Sequence, residues 1–290
     1  MLDTLCISRC YASPMQVSFT KMHGLGNDFI VIDGVNQCVN LTTQQVRFLA
    51  DRRFGVGCDQ LLLVEKPQGS EAEFRYRIYN ADGGEVQQCG NGARCFARFV
   101  VEQGLTTSKE IPVETAGGLI ILTLESDGQV TVNMGIPNLA PESLPFIAER
   151  QAITYGIQTS AGELEIAALS MGNPHAVLIV DDVDTADVET LGPEIEIHQR
   201  FPERVNVGFM QIISTDNIRL RVYERGAAET LACGTGACAA VAAGRLQDKL
   251  AESVKVSLPG GELVIRWRGP NEPLFMTGPA TRVFEGSITL

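Results

Sequence analysis

Two stretches of the chain alternate apolar residues with arginine. They are Phe74-Arg-Tyr-Arg-Ile-Tyr79 and Ile218-Arg-Leu-Arg-Val-Tyr223. This alternation has the period of a strand with one buried face. The two stretches lie 144 residues apart, and at that offset residues 74–93 and 218–237 are identical at eight of twenty positions. The sequence therefore predicts two copies of one fold in a single chain.

Each of the two matching stretches ends in the same short motif, Cys89-Gly-Asn-Gly-Ala93 in the first and Cys233-Gly-Thr-Gly-Ala237 in the second. The apolar residues after the first motif have helical spacing. The segment 237–243 is apolar on all sides, which a helix tolerates only when it is enclosed. Short strand-like runs separated by glycine-rich turns fill 110–135 and 253–285.

These patterns predict an α+β protein with two pseudo-symmetric domains. Each domain is a mostly antiparallel or mixed β-sheet, barrel-like, wrapped around a central α-helix. We expect two further surface helices, over 42–52 and 185–191. The predicted organisation is an N-terminal extension at 1–16, a first half at 17–134 and a second half at 135–277.

Composition narrows the function classes. The chain has 290 residues, 44% of them apolar and 20% charged, and it contains no apolar run of membrane-spanning length. Its formal net charge of −12 argues against binding to nucleic acid or to an anionic membrane. The eight cysteines lack zinc-binding spacing and follow no secretory pattern, which favours a reduced, cytoplasmic protein without a metal.

The Cys-Gly-X-Gly-Ala motif places a thiol at the start of a helix. A helix N-terminus offers unpaired N–H donors and a positive partial charge, so it binds anions and lowers the pKa of a nearby thiol. Two such sites meeting at one cleft would hold a single carboxylate between two thiols. We predict proton removal from one face of a carbon acid and proton delivery to the other.

A cysteine before a helix is more often a small buried residue than a reactive one. The equivalent positions of Cys89 and Cys233 in the repeat favour the catalytic interpretation for this pair. Cys95 and Cys238 lie inside the predicted helices and are expected in the core.

Several longer motifs closely resemble the diaminopimelate epimerase family from about Val17 to the end of the sequence. They are Met22-His-Gly-Leu-Gly-Asn-Asp-Phe29, Asn80-Ala-Asp-Gly83, Gln88-Cys-Gly-Asn-Gly-Ala-Arg94, Met171-Gly-Asn-Pro-His175, Arg204-Val-Asn206, Tyr223-Glu-Arg-Gly226 and Ala232-Cys-Gly-Thr-Gly-Ala237. The resemblance implies cofactor-free interconversion of LL- and meso-2,6-diaminopimelate in the synthesis of lysine and peptidoglycan precursors. It also implies that the last strand, within 278–290, returns to the first half.

The resemblance assigns roles residue by residue. Cys89 and Cys233 are the catalytic pair, with Cys233 the base toward the LL isomer and Cys89 the acid. His175 and Glu224 tune the thiols, and Phe284 lies near the contact of a homodimer. The implied substrate contacts are Asn27, Gln60, Asn80, Gly90, Asn91, Asn173, Asn206, Glu224, Arg225, Gly234 and Thr235. Ala228 stands where the family often has glycine.

Other functions fit parts of the pattern. A proline or hydroxyproline racemase uses the same two-thiol design, although Arg225 and the many asparagines favour a substrate with a charged far end. A thiol switch would pair Cys89 with Cys233 in a reversible disulfide. A cofactor-dependent racemase is a further alternative. If the source is a plant, the expected compartment is the plastid stroma.

Overall fold

The computed structural model describes residues 15–86 and 89–290. These residues form two compact units. The first unit ends at Val132 and takes up Pro279–Leu290, and the second is Asn133–Gly278. Most of the predicted N-terminal extension falls outside the described residues.

The first unit is a mixed sheet. Its strands pair in the order β18-β1-β2-β3-β4-β6-β7-β8, and β5 forms a hairpin with β4. The pairs β2–β3 and β4–β6 are parallel, and the other neighbours are antiparallel. The strands are β1 (Gln16–Gly24), β2 (Asn27–Asp33), β3 (Gln60–Glu65), β4 (Phe74–Asn80), β5 (Glu85–Val86), β6 (Glu110–Thr115), β7 (Gly118–Leu124), β8 (Val130–Asn133) and β18 (Thr281–Thr289).

The second unit repeats this arrangement. Its strands pair in the order β9-β10-β11-β12-β13-β15-β16-β17, with β14 as hairpin partner of β13, and the parallel pairs are β11–β12 and β13–β15. The strands are β9 (Tyr155–Thr159), β10 (Gly162–Ser170), β11 (Pro174–Ile179), β12 (Asn206–Ser214), β13 (Asn217–Glu224), β14 (Ala228–Thr230), β15 (Ser253–Leu258), β16 (Gly261–Trp267) and β17 (Leu274–Gly278).

The two sheets match strand for strand, which confirms the predicted repeat. The arginine and the glutamate that are identical in the two copies form the same ion pair in both units. In the first unit Arg77 forms a two-pronged ion pair with Glu85, at 2.9 and 2.8 Å. In the second unit Arg221 pairs in the same way with Glu229, at 2.6 and 2.7 Å. Each pair joins the two strands of the hairpin that precedes the central helix.

A helix lies against one face of each sheet. In the first unit α2 (Gly90–Glu102) packs on β1, β2, β3 and β7, and in the second α4 (Gly234–Leu246) packs on β10 to β13, β16 and β17. The residues Ala237–Gly244 of α4 are buried without exception. This arrangement confirms the predicted α+β fold with a central helix.

Shorter helices cover the other side of each sheet. α1 (Thr43–Ala50) begins after Thr42, whose hydroxyl accepts a hydrogen bond from the Gln45 amide in a capping box. The helix predicted at 185–191 lies further along the chain in the structure. It is α3, which covers Val188–Glu196. The Asp187 carboxylate accepts the Thr190 amide and so fixes the later start. None of the described helices has both the length and the apolar character needed to span a membrane.

The hairpin that joins β13 to β14 contains a strained residue. Ala228 has a φ of 62°, in the left-handed region that favours glycine. The Ala228→Gly variant should therefore be more stable by about 1 kcal/mol. We expect its thermal midpoint to rise by roughly 2–4 °C.

The neighbouring Ala227→Gly variant is the matched control, because the φ of Ala227 is not left-handed. It should unfold at the same or a lower temperature, since glycine there only adds freedom to the unfolded chain. Equal shifts in both variants, measured by calorimetry, would refute the strain at Ala228.

Candidate active site

Cys89 occupies the N-cap position of α2, immediately before the first helical residue. Its backbone is extended, with φ −143° and ψ 121°, and the Cys89 carbonyl accepts the first helical hydrogen bond from Ala93 at 2.8 Å. The Tyr76 hydroxyl donates to the same carbonyl at 3.4 Å. Gly92 is required here, because a β-carbon would lie 2.7 Å from the Tyr76 hydroxyl.

Asn27 and Asn91 meet beside the Cys89 thiol. The Asn27 side-chain oxygen lies 3.8 Å from Cys89 Sγ and accepts a hydrogen bond from Asn91 Nδ2 at 3.1 Å. The Asn91 oxygen in turn accepts from the fully buried Arg94 guanidinium at 3.0 Å. The structure therefore brings together three of the sequence-predicted site residues of the first half.

Gln60 and Asn80 form a second pair in the same unit. They are register partners on β3 and β4, and Gln60 Nε2 donates to Asn80 Oδ1 at 2.8 Å. Both side chains are partly buried. Gln60 was predicted as a separate contact, but the structure shows that its amide orientation depends on Asn80.

Asn27 is also attached to a charged network that sequence reasoning missed. Asn27 Nδ2 donates to the Asp59 carboxylate at 2.9 Å, and Asp59 is paired with Arg52 at 2.8 Å. Arg52 also donates two hydrogen bonds to the Asp28 carboxylate, which forms an ion pair with Lys21. Burial tends to raise the pKa of the Asp28 carboxyl, but hydrogen bonds from Arg52 and Lys21 outweigh it, so the pKa lies well below its usual value. The sequence contains one signal for this network. Asp28 directly follows Asn27, and Asp59 directly precedes Gln60, so both carboxylates adjoin predicted site residues.

Cys233 occupies the equivalent N-cap position of α4 and is only 4% exposed. Its thiol donates to the Glu224 carboxylate at 3.1 Å and lies 3.6 Å from the Thr235 hydroxyl. The other Glu224 oxygen accepts from the Thr230 hydroxyl. Glu224 is therefore held between Thr230 and the thiol.

The acidity of Cys233 differs from the expectation. Burial raises the pKa of the Cys233 thiol well above its usual value, and the Glu224 charge raises it further. The Thr235 hydroxyl and the nearby Gly236 amide act in the opposite direction without reversing the result. The expected lowering by the helix N-terminus is wrong for this thiol, because it neglected burial and the adjacent carboxylate.

His175 reaches Cys233 only through other side chains. His175 Nε2 hydrogen-bonds Asn173 Oδ1 at 3.0 Å, and Asn173 Nδ2 donates to the Thr235 hydroxyl at 3.4 Å. Burial, and then the charge of Arg225, lower the pKa of His175 to about 3. A neutral imidazole that donates to Asn173 leaves the Asn173 amide to donate toward Thr235.

Asn206 connects this region to the β13–β14 hairpin. Its amide donates to the Pro174 carbonyl at 2.9 Å, and its oxygen accepts from the Arg225 backbone at 3.0 Å. The Arg225 guanidinium donates to the Glu203 carbonyl at 3.2 Å. Buried Glu196, which sequence reasoning missed, accepts the Gly226 amide at 2.7 Å.

Phe284 lies on β18, which pairs with β1 at the edge of the first unit's sheet. Its ring packs edge-on against Phe19 with centroids 6.1 Å apart, and the residue remains 47% exposed. An exposed aromatic ring on a strand is compatible with a contact to another chain, so the dimer role of Phe284 stays a prediction.

Several solved structures share this architecture. The hydroxyproline epimerase of Agrobacterium vitis matches with a TM-score of 0.68 at 18% identity, over 95% of this chain and 93% of that one. A phenazine biosynthesis protein of Bacillus anthracis matches with a TM-score of 0.68 at 15% identity, over 95% of this chain and 100% of that one. At these identities the two matches support the fold alone.

Sequence comparison is more specific. The family model described as diaminopimelate epimerase matches residues 19–140 and 167–283. The diaminopimelate epimerase of Thioalkalivibrio sulfidiphilus is 63% identical over 95% of this chain and 100% of that protein. That of Nitrosospira multiformis is 59% identical over 95% of this chain and 99% of that protein. The chain belongs to the diaminopimelate epimerase family, and it is an isomerase of the diaminopimelate pathway to lysine.

The depressed pKa of His175 predicts acid lability. In the folded protein this pKa is about 3, below the ordinary 6.5, so between these values only the unfolded chain gains the proton. The free energy of unfolding therefore falls as the pH drops from 6.5, by about 3 kcal/mol at pH 4. The His175→Gln variant, which can still donate to Asn173, should lose less thermal stability between pH 7 and pH 4.

The His198→Gln variant is the control, because His198 is a half-buried histidine of the same unit. It should follow the original protein at each pH. Equal acid sensitivity of the His175 variant and the original protein, followed by circular dichroism, would contradict a buried neutral imidazole.

Proposed function

We propose that Cys89 and Cys233 are the two bases that interconvert LL- and meso-diaminopimelate. The observation that carries the proposal is the equivalence of the two thiols. Each cysteine occupies the N-cap position of the central helix of its unit. Neither cysteine side chain makes a capping hydrogen bond to the helix. Two thiols acting on opposite faces of one α-carbon need this equivalence.

The proton inventory of the proposed reaction closes. Toward the meso isomer, the Cys233 thiol first gives its proton to Glu224, which already accepts its hydrogen bond at 3.1 Å. The resulting thiolate removes the α-proton of the LL isomer, and the Cys89 thiol gives its own proton to the other face of the carbon. Glu224 then releases its proton to solvent and the Cys89 thiolate takes one up, which restores the starting state. In the opposite direction Cys89 is the base and Cys233 the acid.

First-turn amides are proposed to stabilise the negative charge that develops on the substrate carboxylate. The first N–H groups of a helix have no acceptor within the helix, and the helix dipole adds a positive partial charge. Hydrogen bonds aimed at developing charge are among the largest contributions to catalysis. The proposed donors are the amides of Gly90, Asn91, Gly234 and Thr235.

Polar side chains around the two thiols are proposed to recognise the ends of the substrate. Diaminopimelate carries an ammonium and a carboxylate at each end, so it needs both donors and acceptors, and the Arg225 guanidinium suits the distal carboxylate. The Asn173 amide is placed by neutral His175, which supports a positioning role for that histidine. The proposed contacts are Asn27, Gln60, Asn80, Asn173, Asn206, Glu224 and Arg225.

The two units are proposed to be the catalytic halves, each supplying one thiol.

We also propose a homodimer whose interface includes Phe284. The Phe284→Ala variant should then elute as a smaller species in size-exclusion chromatography with light scattering, and an unchanged mass would count against this contact.

The cytoplasm is the proposed compartment, because the thiols of Cys58, Cys95 and Cys233 are not in disulfides. Recovery of the protein in an exported fraction after cell fractionation would refute it.

Removal of either thiol should abolish epimerisation. In deuterated water the original protein should place solvent deuterium at the α-carbon of diaminopimelate. The Cys89→Ala and Cys233→Ala variants should each lose at least about a thousandfold in turnover, since one proton transfer lacks its partner. Mass spectrometry of the substrate and chiral chromatography measure exchange and inversion separately.

Matched controls come from the same two helices. Cys95→Ala in α2 and Cys238→Ala in α4 remove buried thiols at helix positions beyond the N-cap, and both variants should keep most of the activity. Full epimerisation by either N-cap variant would defeat the two-base proposal. Turnover of proline without turnover of diaminopimelate would defeat the proposed substrate.

A further inference from the structure

The Asn27 side chain has two different neighbours, one on each side of its amide. The carbonyl oxygen points to Asn91 Nδ2 and to Cys89 Sγ, at 3.1 and 3.8 Å. The NH₂ group points to the Asp59 carboxylate, at 2.9 Å. An ionised carboxylate accepts hydrogen bonds but cannot donate them, so only the NH₂ group of Asn27 can face Asp59.

Asp59 is itself held in place from three directions. Its Oδ1 accepts from Arg52 at 2.8 Å, and its Oδ2 accepts from the Asp28 backbone amide at 3.0 Å. The Asp59 amide donates to the Asp28 side chain at 2.9 Å. Arg52 grips the Asp28 carboxylate with two further hydrogen bonds, at 3.0 and 2.6 Å. The carboxylate that orients Asn27 therefore has little rotational freedom.

We propose that Asp59 is a positioning residue that fixes the amide orientation of Asn27 and so presents a hydrogen-bond acceptor to the Cys89 thiol. The inference goes beyond the contacts proposed above, and its value for turnover rests on the proposed function. The acceptor oxygen favours the S–H form of Cys89, the form required when Cys89 delivers a proton. If the amide turned over, its NH₂ group would instead favour the thiolate.

The repeat supplies an internal comparison. Asn173 occupies the corresponding position in the second unit, before β11, and no carboxylate among the described residues binds its NH₂ group. His175 binds the Asn173 oxygen, and the Asn173 NH₂ group donates to Thr235. In the second unit the acceptor of the thiol proton is Glu224. The two halves thus orient equivalent asparagines in opposite ways and use different acceptors for their thiols.

The direct test is the rate of alkylation of Cys89 by iodoacetamide at pH 7, followed by peptide mass mapping. Asp59→Asn preserves the size of the side chain but allows Asn27 to adopt either orientation. We expect alkylation of Cys89 to become at least threefold faster, since the thiolate is the reactive form. Tyr76, whose hydroxyl contacts the Cys89 carbonyl, is unchanged in the variant.

A double-mutant cycle separates positioning from general loosening. In an Asn27→Ala background, Asp59→Asn should leave the Cys89 alkylation rate unchanged, because the group through which Asp59 acts is absent. An unchanged rate in the single variant, or an equal increase in both backgrounds, would overturn the proposal. If Asp59→Asn does not fold, Asp59→Ala is put through the same cycle and judged by the same outcomes.

Arg52→Gln is the matched control. It removes the ion pair with Asp59 but leaves the carboxylate that binds Asn27, so the Cys89 alkylation rate should stay within twofold of the original protein. An increase equal to that of Asp59→Asn would mean that the ion pair, and not the amide orientation, governs Cys89, and would also overturn the proposal.

Turnover provides the second readout. Asp59→Asn should lower kcat for diaminopimelate about tenfold with a smaller change in KM, and the effect should vanish in the Asn27→Ala background. Because alkylation does not require turnover, a failure of the two-base proposal would leave the alkylation cycle interpretable. A loss of kcat that persists in the Asn27→Ala background would contradict the positioning role of Asp59 and would leave the two-base proposal untouched.

Discussion

The start of each central helix sets the constraint on which the site depends. The outer helices α1 and α3 are capped by the side chains of Thr42 and Asp187, as most helices are. The central helices α2 and α4 begin at Cys89 and Cys233, and neither side chain makes a capping hydrogen bond. The missing caps cost about 1 kcal/mol each. As a result, the first-turn amides of both central helices have no acceptor in the capping side chain.

The two thiols are equivalent in the backbone and different in their surroundings. Cys89 faces the neutral oxygen of Asn27, whereas Cys233 faces the charged Glu224 and is nearly inaccessible to solvent. A repeated backbone with different side chains suits a reaction whose two directions start from different stereoisomers. The symmetry supplies two acid–base groups, and the local partners adjust each group separately.

The repeat and the central helices could be predicted from sequence because their signals are local. Alternating arginines, the glycine-rich motif and the apolar helix each lie within some twenty residues. The charged network around Asp59 was missed. Its members Asp28 and Asp59 adjoin predicted site residues in the sequence, but Lys21, Asp28, Arg52 and Asp59 meet only when β1, β2 and β3 pair. The raised pKa of Cys233 was missed for the same reason. Burial and the approach of Glu224 are products of tertiary packing, while the helix N-terminus is visible in the sequence.

The last strand has a consequence for the order of folding during translation. β18 pairs with β1 along nearly its whole length, yet it is synthesised after the entire second unit. The ribosome therefore completes the sequence of the second unit while the sheet of the first still lacks an edge strand. Domains commonly fold in the order of their synthesis. In this chain the unit that starts first is the last to have all its strands, and until then the unpaired edge of β1 is open to mispairing.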